Sequence, residues 1–237
     1  HFSLISIYEE NVIFIEPGYY ALNLLFKWSP VGYFYVFFIA TALSYFFILR
    51  QLCYERILKW GIFSLVSLGC LIWMNDIIRQ GIAFSIFIYS LRYMKKGDFL
   101  SYFICVAIAC LFHYSAVVLL FFYFLRYLRL SSIVWILLII LTFVLQYAGI
   151  FRELLKSLIA MIPYYGAYAN KADQYFVTGS VVGIGLIYKQ LIAMCIALFY
   201  PKISNKFYAT LFLSGCVLDN IFLGTFIFER ISNYLVY

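Results

Sequence analysis

Apolar residues run through this chain with few interruptions, and short connectors carrying most of the charges separate one run from the next. A helix needs about 20 such residues to cross a hydrocarbon core roughly 30 Å thick. The pattern predicts spans near 31–49, 57–74, 77–94, 131–149, 181–199 and 205–225. The run 99–125 differs, because His113 divides it into pieces of roughly 14 and 12 residues, each too short to span alone. It is either one long tilted helix or a broken hairpin. Alternating strands of a membrane β-barrel are excluded by the continuity of the runs, and backbone groups in lipid must then be satisfied within helices. The expected fold is all-α: a polytopic transmembrane helical bundle forming a single integral-membrane domain over residues 1–237.

Composition agrees with that pattern. Hydrophobic residues make up 66% of the 237, charged residues 11%, and the mean hydropathy is +0.98, beyond what a soluble domain of this size carries. No stretch reads as a soluble domain, an internal repeat or a flexible linker. The six cysteines fall mostly inside the predicted spans without metal-ligand spacing, so they are expected to be small buried hydrophobes. His1 stands where an initiator methionine would, and a further apolar run starts at Ile231, so the chain is expected to be part of a longer protein with spans before and helices after it.

The net charge of +7 raises the question of nucleic acid, and its placement answers against it. Arg50, Arg56 and Lys59 flank one connector, Arg92, Lys95 and Lys96 the next, Arg126 and Arg129 another, and Lys202 and Lys206 the last. By the positive-inside rule these connectors are cytoplasmic. The assignment is self-consistent only if 99–125 leaves and returns on one side, which favours a hairpin with His113 near its apex. Segment 1–30, the Asn75–Gln80 turn, His113, the loop 150–180 and Glu229-Arg230 then all come to the external face.

Segment 1–30 is amphipathic, with Glu16-Pro17-Gly18 as a helix start and Tyr19, Tyr20 and Trp28 suited to the membrane interface. The expected loop 150–180 carries Arg152, Glu153, Lys156 and Lys171 among Tyr164, Tyr165, Tyr168 and Tyr175. Aromatic faces with scattered polar groups suit glycan contact, and interfacial anchoring uses the same residues.

The segment Met74-Asn75-Asp76-Ile77-Ile78-Arg79-Gln80-Gly81 places charges and amides where lipid-compatible residues prevail, and such residues cost several kcal/mol unless paired or hydrated. On a helix beginning near Asp76, positions 76, 79, 80, 83, 87 and 90 share one face, a polar stripe directed at the bundle interior. The alternative is that Arg79 snorkels to lipid phosphate and Asp76 caps the helix. His113 is either a buried hydrogen-bonding residue or, on the side of Arg79, a phosphate ligand or proton acceptor. Lys189 and Asp219 come out at similar depths in spans running in opposite directions. They could form a structural ion pair, or Lys189 could meet an anionic substrate while Asp219 orients it. Arg230 is an interface anchor or the second half of a two-arginine phosphate clamp with Arg79.

Glu16-Pro17-Gly18-Tyr19, Asp76-Ile-Ile-Arg79-Gln80-Gly81-Ile-Ala83, Ile108-Ala-Cys-Leu-Phe-His113-Tyr-Ser-Ala116 and Glu229-Arg230-Ile-Ser-Asn-Tyr234, in that order, resemble the EpsG-type family of Wzy-class bacterial polysaccharide polymerases. The resemblance covers essentially the whole chain. It implies a multi-pass plasma-membrane glycosyltransferase that joins oligosaccharide repeat units carried on undecaprenyl diphosphate, making O-antigen, capsule or exopolysaccharide. It maps the family's arginine–glutamine pair onto Arg79 and Gln80, its histidine onto His113, and its late arginine and tyrosine onto Arg230 and Tyr234. Arg79 and Arg230 are expected to face the diphosphate, with Asp76 and Gln80 holding Arg79. The general base is left open among His113, Asp76 and Glu16. Preorganised cations can stabilise the leaving diphosphate, so no metal or cofactor is called for. A chain-length regulator and a flippase are expected partners, along with membrane lipid. The rival readings are a repeat-unit flippase or other transporter, and an O-antigen ligase.

Overall fold

The computed structural model describes residues 16–67, 69–160 and 184–236. These residues form twelve α-helices and three short 3-10 segments, with no β-strand among them. The chain divides into two compact units, 1–123 and 124–237, each with its own packing.

In the first unit, α1 (Pro17–Leu25) begins with proline at its first position, where the missing N–H costs nothing. Next come α2 (Gly32–Tyr54), α3 (Leu58–Ser67), α4 (Cys70–Asp76), α5 (Ile78–Lys96), α6 (Phe99–Phe112) and a second hairpin arm, which begins at Tyr114 and includes α7 (Leu119–Phe122). Only α2 is long and apolar enough, among the described residues, to cross a membrane by itself; α3 and α4 pass that test as a bent pair. The expected single span 57–74 is thus two helices, with Gly69 at the break in a left-handed conformation (φ 66°) that glycine adopts without strain.

α5 is the centre of this unit. Twelve of its 19 residues are buried, including Gln80, Ala83, Phe87 and Ser90 of the expected stripe and also Ile82, Phe84 and Ile86 on other faces. The reading of one interior face is therefore too narrow, because α2 and α6 cover this helix from different sides. Its helix starts at Ile78, so Asp76 ends the preceding helix and caps nothing. α2 and α5 run parallel. The Asn75 amide, just before α5, meets the Thr41 and Tyr45 hydroxyls of α2, and farther along Arg92 meets Gln51 and Lys95 meets Glu55. Arg79 lies about 24 Å along α5 from Lys95, taking 1.5 Å per residue. Arg50, Arg92, Lys95 and Lys96 therefore gather at one end of the unit and Arg79 at the other.

The run 99–125 is a hairpin. The Tyr102 hydroxyl of α6 donates to the Leu119 carbonyl at 2.5 Å, and the Tyr123 hydroxyl reaches back to the Gly97 carbonyl at 2.9 Å. His113 sits at its turn in an extended conformation (φ −156°, ψ 113°). Asp98 caps the start of α6 by accepting from the Ser101 amide.

The second unit contains α8 (Ser132–Tyr147), α9 (Ile150–Ala160), α10 (Ile184–Phe199), α11 (Lys206–Phe222) and α12 (Phe226–Val236). Trp135, Ile139, Ala193, Ala197, Tyr200, Ala209, Leu213 and Cys216 make its core, and the alanines of α10 let α8 approach closely. α11 and α12 form an antiparallel pair in which a side chain on Gly215 would collide with Leu235. The expected loop 150–180 is corrected in its first third. Residues 150–160 are helical because Leu154 and Leu155 alternate with Arg152, Glu153 and Lys156 at helical spacing, and α9 turns 74° away from α8 at Gly149. Tyr164, Tyr165 and Tyr168 lie outside the described residues. Cys53 and Cys195 are exposed, contrary to the expectation that the cysteines are mostly buried, because they fall on the outward faces of their helices.

Candidate functional site

Glu16 precedes α1, yet its carboxylate makes no bond to the amides of its own helix. It turns instead into the protein and is only 6% exposed. One oxygen, Oε2, accepts from an Arg79 guanidinium nitrogen at 2.5 Å, and the other, Oε1, lies 3.2 Å from Nδ1 of His113. The contacts join residues 63 and 97 positions apart. Three elements thus converge on one carboxylate: the start of α1, the first turn of α5, and the turn after α6.

Two glycines permit this convergence. A Cβ on Gly18 would lie 2.9 Å from the Leu111 carbonyl oxygen, so α1 rests against the end of α6 only because position 18 is bare. A Cβ on Gly81 would lie 2.6 Å from the Met74 carbonyl oxygen, which fixes the tight step from α4 into α5. Leu22 buries itself beneath α1, and the Asn23 amide closes a turn onto the Tyr19 carbonyl. The Arg79 guanidinium stands 5.9 Å from the Tyr19 ring centroid, a cation–π distance.

Electrostatics separates the three side chains. Burial alone would raise the Glu16 carboxyl, but the hydrogen bond with His113, the local backbone and the Arg79 charge outweigh it and hold the group below the usual carboxylate range. An ionised carboxylate only accepts, so His113 donates from Nδ1. Its Nε2 is buried and has no partner among the described residues. Arg79 keeps 49% of its side chain exposed, and one bond to Glu16 leaves most of its five N–H donors open. An exposed guanidinium beside a buried imidazole with a free nitrogen can bind an anion and accept a proton.

The expectation that Asp76 holds Arg79 is corrected. Asp76 is exposed at the end of α4 and forms no ion pair with Arg79, because the helix break at Ile77 separates them, and Glu16 takes that role. Gln80 is fully buried in the first turn of α5, beside Arg79 in sequence. Tyr19 was not singled out as a contact of Arg79, and its only sequence signal is its place directly after Glu16-Pro17-Gly18.

In the second unit, Lys189 and Asp219 do pair, at 2.6 Å. Asp219 is the buried partner and its other oxygen lies 3.1 Å from the Ser232 hydroxyl of α12. Beside them the Gln190 amide donates to Asn220 at 2.6 Å, and Asn220 donates to Thr142 at 3.1 Å, so α8, α10 and α11 share a buried polar chain. The Glu229 carboxylate accepts from the Gly224 amide at 2.6 Å. Arg230 is exposed on α12, and Tyr234, one turn later, is 2% exposed. Ser232 and Glu229 were not among the expected site residues. Arg230, Tyr234, Lys189 and Asp219 belong to the second unit, and Glu16, Arg79, Gln80 and His113 to the first.

The whole chain, residues 1–237, matches the EpsG family. The chain belongs to that family. EpsG proteins are Wzy-type polymerases, so this member is a membrane protein with a polysaccharide-polymerase function, a glycosyltransferase in general class whose substrate class is a lipid-linked oligosaccharide. No curated protein and no solved structure matches the chain.

Proposed function

We propose that this EpsG-family protein joins undecaprenyl-diphosphate-linked oligosaccharide repeat units at the external face of the bacterial plasma membrane, and that Arg79 and His113 act in the transfer. The observation that carries this reading is the convergence of Arg79 and His113 on the buried Glu16 carboxylate.

The reaction breaks the bond between the sugar's anomeric carbon and the diphosphate oxygen and forms one to an acceptor hydroxyl oxygen. Negative charge grows on the departing diphosphate, and the hydroxyl loses a proton. Arg79, half exposed and with donors to spare, offers charge-assisted hydrogen bonds to phosphate oxygens. His113 offers Nε2 to the hydroxyl proton. Asp76 is set aside as the base because it is exposed and unpaired with this group, and Glu16 because both its oxygens are engaged. Gln80 supports the start of α5, where Arg79 is carried. In the second unit, Arg230, an exposed cation of α12, is assigned to phosphate on the strength of the family's late arginine. Lys189, Asp219 and Tyr234 are assigned to its polar framework, and Tyr164, Tyr165 and Tyr168 to glycan contact. The basic end of the first unit, with Arg50, Arg92, Lys95 and Lys96, supports placing the opposite end, which carries Arg79, outside. A flippase would deliver the substrate to that face, and a chain-length regulator would act on the product.

The test is complementation of a deletion strain with Arg79→Ala or His113→Gln, with membrane insertion verified, followed by sizing of the surface glycan. Both variants are expected to leave single repeats in place of long chains. Long chains from the arginine variant would rule out its diphosphate role. Loss of every external repeat from the deletion strain itself would mean transport instead of polymerisation.

A further inference from the structure

Glu16 divides its two oxygens between two partners of different chemistry, and that division carries a consequence for the imidazole. Arg79 can only donate. A carboxylate that also receives His113 must therefore take a proton-bearing nitrogen from it, and the nitrogen facing it at 3.2 Å is Nδ1. In the neutral ring the proton is thereby placed on Nδ1 and the lone pair on Nε2, the nitrogen that is buried and unpartnered among the described residues. We propose that Glu16 is a positioning residue that holds His113 in its Nδ1–H tautomer and, through its other oxygen, ties that ring to the position of Arg79. The proposal rests on the reading above for its place in the reaction, although the tautomer follows from the contacts alone.

The chemistry is balanced simply. The acceptor hydroxyl gives its proton to Nε2 as its oxygen bonds to the anomeric carbon and the bond from that carbon to the diphosphate oxygen breaks, the electron pair leaving with the diphosphate; the imidazolium so formed keeps its other proton on Nδ1 and donates it to Glu16. A carboxylate beside the ring stabilises that cation and prevents it from turning. The same carboxylate binds a guanidinium whose side chain is 49% exposed, so movement of Arg79 toward a diphosphate is transmitted to the base. Glu16, just before α1, meets the ring at Nδ1, Arg79 of α5 shares that carboxylate and stands 5.9 Å from the Tyr19 ring of α1, and Tyr114 follows the histidine in the chain.

Glu16→Gln discriminates sharply, because an amide has a single oxygen. If that oxygen meets Arg79, the amide N–H₂ faces Nδ1 and forces its lone pair there, moving the proton to Nε2. If the oxygen meets His113, the N–H₂ confronts Arg79 and the arginine is released. Residues 1–237 contain two histidines, His1 and His113, so ¹⁵N-histidine labelling of the protein in nanodiscs, with His113→Gln assigning the signal, isolates the His113 resonances. The wild type is expected to show a protonated Nδ1 and an unprotonated Nε2 in its neutral form. The Glu16→Gln variant is expected to show the opposite tautomer or a mixture, together with a fall of about tenfold to a hundredfold in polymerisation rate at saturating substrate.

A wild-type ring protonated on Nε2 overturns the proposal, as does a Glu16→Gln protein in which both the His113 tautomer and the polymerisation rate are unchanged. If that variant does not fold, the wild-type spectrum decides alone. Long glycan chains from His113→Gln would sink the proton-transfer reading while the tautomer result stands, so the two failures are distinguishable.

Discussion

Gly18 lies so close to Leu111 that a methyl group on it would sit 2.9 Å from the Leu111 carbonyl oxygen. The contact is with backbone, which cannot rotate away as a side-chain tip can. It sets the distance at which α1 carries Glu16 past the end of α6 to reach His113 and Arg79.

Gly18→Ala is expected to push α1 outward, with an overpacking cost of about 1–3 kcal/mol. Thermal unfolding in detergent should show the loss, and glycan chains made in the cell should shorten because Glu16 no longer reaches both partners. A variant with unchanged melting and chain length would show that α1 docks without this close approach.

Stability should depend on acid through Glu16. Its carboxyl is held below the ordinary value in the folded protein, so the unfolded chain binds the proton more readily. The contribution is complete above the unfolded value of about 4.3 and is lost as pH falls from there through the lower folded value. Melting temperature of the wild type should therefore drop over that acid window more than that of Glu16→Gln. Parallel curves for the two proteins would contradict the assignment.

Arg79→Lys retains a charge but replaces a forked group of five donors with a single ammonium. Such a group can serve Glu16 or a phosphate, and not both with good geometry. Polymerisation is expected to fall about tenfold or more, with normal insertion, measured as the length distribution of surface glycan. Full-length chains would indicate that charge alone suffices.

Asp219 is buried and partnered by both Lys189 and Ser232, whereas Lys189 retains 29% of its side chain exposed. Removing the acid takes the 2.6 Å ion pair away from a partly buried ammonium. Asp219→Ala is expected to cost about 1–3 kcal/mol, and Lys189→Met at least as much, because it takes the cation away from the more deeply buried Asp219 carboxylate. Chemical or thermal unfolding of the two variants and of the double variant would show whether the pair couples.

The helical architecture was legible in the sequence because a membrane demands continuous apolar runs, and those runs cannot be hidden. The hairpin around His113 was legible for a related reason: two runs too short to span, together with the basic connectors, required a return. The pairing of Lys189 with Asp219 followed from matching depths in opposed helices. Other features were less accessible. The break at Gly69 within an apolar run leaves no change in hydropathy, and the helix over 150–160 was masked by the charges and tyrosines surrounding it. α5 read as a one-sided stripe because periodicity reports which residues share a face, and not how many neighbours cover the helix.

Sequence by itself determined the all-α membrane class, the family, and the residue types available for chemistry, because these depend on composition, run length and the order of short motifs. Only the tertiary structure decided that Arg79 is paired with Glu16 and not with nearby Asp76, and that His113 shares the same carboxylate. The physical reason is distance along the chain. Residues 63 and 97 positions apart meet only after α1 has docked on α6 and α5 has been enclosed, and no local rule encodes which oxygen each will find.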